Sequence, residues 1–144
     1  MKQTVLAAIG IAGSFIANLL GGWDTALQVL ILFMAADYIS GLIVAGVFKR
    51  SPKTDHGALE SRAGWKGLCR KGMTLLIILV AAQLEGVTGT NIIRNAVIIA
   101  YLANEAISIF ENAGLMGLPV PPVIRNAIEL LKKKSEDESD GNKN

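Results

Sequence analysis

Charged side chains are scarce in this sequence. Only 18% of its 144 residues are Asp, Glu, Lys or Arg, while 51% are hydrophobic and the mean hydropathy is +0.44. A soluble domain of this size needs more polar surface. Cysteine and histidine are almost missing. The lone Cys69 has no partner for an intramolecular disulfide, and the lone His56 cannot build a metal site by itself. The glycine-rich phosphate loops, the paired-histidine zinc signature and the CxxC spacing are absent as well. No catalytic, cofactor-binding or metal-ligating residue is therefore assigned, and the chain reads as a non-enzyme. No internal repeat of about 20–50 residues points to a solenoid, and the length suits one compact unit.

What is present is a series of apolar blocks. Thr4–Leu20 carries no charge; its seventeen residues at ~1.5 Å each cross about 25 Å, enough for a slightly thin bilayer. A secretory signal is the rival reading. It is disfavoured by a charged region of one residue, Lys2, and by the lack of a small-x-small cleavage site. Gly21, Gly22, Trp23 and Asp24 form a turn, and Thr25–Phe48 is a second span with one charge, Asp37. Gly72–Leu84 is the shortest block. It spans only if Lys71 and its neighbours snorkel or the bilayer thins. Ile92–Phe110 is the fourth, with Arg94 at its start and Glu105 further in.

Pro119, Pro121 and Pro122 stop any helix. Beyond them Ile124, Ala127, Ile128 and Leu131 recur at helical spacing, predicting an amphipathic helix over Val123–Lys134 that lies flat on the membrane. The sequence thus divides into a transmembrane helical domain at 1–118, a cytoplasmic amphipathic helix at 119–134 and a polar, acidic, disordered tail at 135–144. The fold class is all-α membrane protein with about four spans. Four spans put every Lys and Arg except Arg94 on one side, which the positive-inside rule makes cytoplasmic, so both termini face in. Three spans, with the first or third block in the interface, is the competing count.

A mid-span carboxylate costs at least about 3 kcal/mol when it faces lipid. Asp37 and Glu105 lie similarly far into helices that run the same way, so their carboxylates fall at matched depth. Two readings fit: a polar lining shared between helices or subunits, and hydrogen-bonded packing within one subunit. Asn104, Ser108 and Asn112 recur every four residues beside Glu105, and Ala96 and Ala100 extend that stripe, the pattern helices use to associate in lipid. With Ser40 and Asp37 they make a candidate polar face for a pore or oligomer. Small residues four apart in the first block (Ala8 and Ala12, Gly10 and Ser14, Gly13 and Ala17) also allow close packing.

Between Lys49 and Lys71 seven basic residues face Asp55 and Glu60. Lys49, Arg50, Arg62, Lys66, Arg70 and Lys71 are candidate contacts for anionic lipid headgroups, with Trp65 and Leu68 among them. Nucleic-acid binding finds no support, because the segment lacks an aromatic stacking platform or a recognition motif.

Several of these residues coincide with a known family. Asp37-x-x-Ser40-Gly41, Ser61-x-x-Gly64-x-x-Gly67-Leu68 with Lys71, Asn104-Glu105-x-x-Ser108-Ile109-x-Glu111-Asn112, and Gly117-x-Pro119-x-Pro121 occur in the order found in the toxin-secretion and phage-lysis holins. The chain resembles that TcdE-like group from roughly Asp37 to Leu131. The resemblance implies a homo-oligomer in the host's cytoplasmic membrane that opens lesions through which an endolysin, or in some relatives a toxin, escapes. Two rivals share the architecture. A small proton-coupled exporter also needs an intramembrane carboxylate, and an antiholin or structural membrane subunit would bind a holin without permeabilising.

Overall fold

Helix ends follow the turn residues. In the computed structural model, which describes residues 1–141, α1 (Lys2–Leu19) stops before Gly21 and Gly22. Their φ angles of 88° and 104° reverse the chain in a region that side chains rarely adopt. Asp24 then caps α2 (Thr25–Ile43), its Oδ1 accepting the Leu27 N–H at 3.0 Å. α2 runs on into a π-helical turn, Val44–Phe48, that closes on Lys49 at φ 52°. α3 (Ser61–Thr88) ends on Gly89 in the left-handed conformation. α4 (Ile93–Leu115) follows, and α5 (Pro122–Asp140) opens on a proline, where the missing N–H costs nothing.

Among the described residues four helical segments are long and apolar enough to cross a membrane: Lys2–Leu19, Thr25–Phe48, Ser61–Thr88 and Ile93–Leu115. α2, α3 and α4 form the bundle, with α2 on α4 the largest contact. Its apolar core is Leu20, Leu27, Leu30, Met34, Ile78, Ile98 and Leu102. α1 buries no residue, and its main contact is with α3, where the Gln83 amide donates to the Leu19 carbonyl at 3.0 Å. Its exposed Val5, Leu6, Ile9, Ile11 and Phe15 would be costly in water and cost nothing in lipid.

Two elements differ from the sequence reading. The third span is not the short block Gly72–Leu84 but the second half of a 28-residue helix that starts at Ser61. Lys and Arg are good helix formers, so the basic stretch continues the helix even though it interrupts the apolar run. α5 is longer than Val123–Lys134. Ser135–Asp140, read from composition as disordered, continues the helix, because nothing between Pro122 and Gly141 breaks it and acidic residues follow Lys132–Lys134 at helical spacing. Residues 142–144 of that tail lie outside the described residues. Nor does α5 stand apart: it packs back on α4, with Ile124, Ile128 and Leu131 half-buried. Gly117, at φ 85°, turns the chain so that this apolar face meets Ile107 and Phe110.

Candidate functional site

One turn beyond the apolar core, in step on all three bundle helices, the packing becomes charged. Asp37 follows Met34 on α2, Glu105 follows Leu102 on α4, and Lys71 precedes Thr74 on α3. The Lys71 Nζ donates to Asp37 Oδ2 at 2.7 Å and to Glu105 Oε2 at 2.6 Å, so a single ammonium ties three helices together. The three side chains are only 9–16% exposed. The Asn112 amide of α4 extends the cluster, donating to Ser40 Oγ at 2.8 Å and to Asp37 Oδ1 at 3.3 Å. Ser40 Oγ in turn donates to the Asp37 carbonyl at 3.0 Å. Two carboxylates and one ammonium leave a formal charge of −1. A cluster like this holds only while each member keeps its partners, since a buried charge stripped of its counter-ion costs about 3–5 kcal/mol.

On the loop side, Tyr38 lies against the start of α3 and donates to the Gly64 carbonyl at 3.4 Å. A Cβ at Gly64 would sit 3.3 Å from the Tyr38 hydroxyl, and one at Gly67 would sit 3.5 Å from its ring. The two glycines thus make room for the tyrosine. From the charged cluster a cavity of about 460 Å³ opens toward the Ser51–Glu60 loop.

A second charged constellation closes the opposite end of the bundle. Arg94, on the first turn of α4 and 6% exposed, grips the α1–α2 turn. It donates to Asp24 Oδ2 at 2.6 Å, to Asp24 Oδ1 at 3.2 Å, to the Gly22 carbonyl at 3.0 Å and to the Leu20 carbonyl. Its own N–H donates to Glu85 Oε1 at 2.7 Å, which ties the α3 end to the α4 start. The hydrogen bonds from Arg94 hold the Asp24 carboxyl below its ordinary value of 3.8. Gly21 has no freedom to change, because a Cβ there would overlap Arg94 Cδ.

The structure therefore brings Asp37, Ser40, Glu105 and Asn112 together inside one chain, and Ser108 lines the cavity next to them. Asn104 does not join: it is exposed on another face of α4, because a four-residue repeat drifts about 40° per step around a 3.6-residue helix. Among the expected headgroup contacts, Lys49, Arg50 and Arg62 are exposed, and Lys66 and Arg70 lie at the cavity rim. Lys71 is corrected. It is not at the headgroups but turned inward, because two buried carboxylates need a cation. Sequence reasoning missed that pairing and missed Arg94 as a clamp. The signals were there: a basic residue, Lys71, directly abutting the third apolar block, and the one basic residue on a side holding Asp24 and Glu85.

Comparison with known proteins follows the same lines. A family model described as "Bacteriophage holin family" matches residues 14–133. An uncharacterized protein of Listeria innocua is 40% identical over 139 residues, covering 94% of both chains. One from Halalkalibacterium halodurans is 36% identical over 138 residues, covering 92% of this chain and 96% of its own. A protein of Bacillus phage phi105 named "Probable holin" is 28% identical over 115 residues, 79% of each chain. No solved structure matches.

Proposed function

Because the chain belongs to the bacteriophage holin family, we propose that it gathers with copies of itself in the bacterial cytoplasmic membrane and opens that membrane. An endolysin, or in a secretion setting a toxin, then crosses to the cell wall without needing to touch the holin. Both termini and the basic loop face the cytoplasm, and the Arg94 end faces out, as the distribution of Lys and Arg favours.

The observation that supports this reading is the Asp37–Lys71–Glu105 cluster, a charged site in mid-bundle whose outer surface is apolar. Charges at that depth are costly, and they mark ion or water paths where they occur. In the single chain they are hidden by pairing. In the proposed assembly, α3 turns relative to α2 and α4, the pairs open, and the same groups line water between subunits. The cluster is thus a lock in one state and a lining in the other.

Induced expression in a bacterial host tests the proposal. A voltage-sensitive dye should show an abrupt loss of membrane potential, and a co-expressed endolysin should then clear the culture. Steady growth with potential intact and the endolysin retained, at normal membrane levels of the protein, would reject it. Asp37→Ala with Glu105→Ala should shift the moment of collapse; unchanged timing at equal expression would remove the cluster from the mechanism while leaving the holin reading in place.

A further inference from the structure

The cavity beside the charged cluster has features that membrane permeabilisation does not call for. Its rim carries Lys53, Lys66 and Arg70 against one acid, Glu60. None of these three cations pairs with a carboxylate among the described residues. On its wall the Thr54 hydroxyl oxygen is enclosed and has no hydrogen-bond partner. Apolar side chains share the lining: Leu42, Ala45 and Leu59, of which Leu42 and Leu59 are also exposed. The volume, about 460 Å³, lies within the roughly 300–1,000 Å³ of small-ligand sites.

We infer that this cavity binds one anionic lipid, with its headgroup phosphate held by Lys66, Arg70 and the Thr54 hydroxyl and its glycerol and upper acyl chain against Leu42 and Leu59. A cationic rim joined to an apolar wall fits an amphiphile with a negative head. The floor decides between two sources of phosphate. The Asp37–Lys71–Glu105 cluster is formally −1, so it disfavours free phosphate, a mixture of monoanion and dianion in neutral solution, more than the singly charged phosphodiester of a lipid such as phosphatidylglycerol. The site rests on the chain being embedded with its basic loop at the headgroups, and it does not depend on lesion formation.

Native mass spectrometry of the full-length protein in mild detergent, titrated with phosphatidylglycerol or phosphatidylcholine, tests the site. One phosphatidylglycerol per chain should be retained in preference to phosphatidylcholine. Lys66→Gln with Arg70→Gln should weaken retention about 25-fold, from the roughly fivefold that each basic side chain near an anionic surface supplies. Lys133→Gln with Lys134→Gln, the same charge change outside the cavity, should leave it unaltered. Ala63→Phe should block retention by filling the cavity while every basic residue stays. Equal weakening by the two double variants would replace the site with a diffuse basic surface. Undiminished binding in Ala63→Phe would move it out of the cavity, and displacement by inorganic phosphate at matched concentration would overturn the lipid assignment. The lysis assay is a separate readout, so loss of the site and loss of the holin function are distinguishable.

Discussion

At the residue scale, Lys71 has the largest leverage, because it alone neutralises two buried carboxylates. Lys71→Met leaves two like charges facing each other, and the chain in detergent should lose about 3–5 kcal/mol of stability. Adding Asp37→Asn and Glu105→Gln removes the uncompensated charges and should restore most of the lost melting temperature. A triple variant no more stable than Lys71→Met would show that the ammonium acts through packing instead. Asp24 gives a pH dependence with a definite sign. Its folded value is depressed by Arg94, so its contribution is full above the ordinary 3.8 and is lost as pH falls through the lower folded value. Asp24→Asn keeps the helix cap but not the charge. Thermal melts of the two proteins should run parallel near neutrality and converge in strong acid.

At the scale of elements, α1 and α3 behave differently. α1 has no buried residue and is held chiefly by the turn that follows it. Deleting residues 2–16 should therefore barely change the melting of the remaining bundle. Leu20→Ala, which empties a core position, should cost about 2–5 kcal/mol. If the deletion proves as damaging as the point change, α1 packs on the bundle more tightly than its contacts indicate. The first half of α3 depends on space for Tyr38. Gly67→Leu should push the ring away and loosen the start of α3, so that trypsin cuts at the already exposed Lys66 and Arg70 in detergent, a change visible on a gel. That half was read from the sequence as a surface-lying basic segment, since charge density hides a helix from an apolar-block criterion. Its periodicity appears only when Lys71 is counted among the inward positions.

For the whole molecule, two charged constellations bracket an apolar core. Arg94 fastens the end that holds the short turns, and the Lys71 cluster ties the helices near mid-span, on the side of the core nearer the basic loop. Opening the second while the first stays shut would let the helices splay from the side of the basic loop only. Orientation is checked by fusion. Green fluorescent protein at the C-terminus should fluoresce and alkaline phosphatase there should be inactive; the reverse pattern would put the basic loop outside.

Three membrane-length apolar segments, the turn at Gly21–Asp24 and the matched depth of Asp37 and Glu105 were determined by the sequence alone, because each follows from local composition and a fixed rise per residue, whereas the length of the third span came from the structure. Only the tertiary structure decided that Lys71 turns inward, that Asn112 rather than Asn104 joins Asp37, that Arg94 clamps the opposite end, and that α5 returns onto α4. All four are pairings between residues far apart in the chain. Which of several polar side chains meets which is settled by the rotation of packed helices about their axes, a quantity that no single helix encodes.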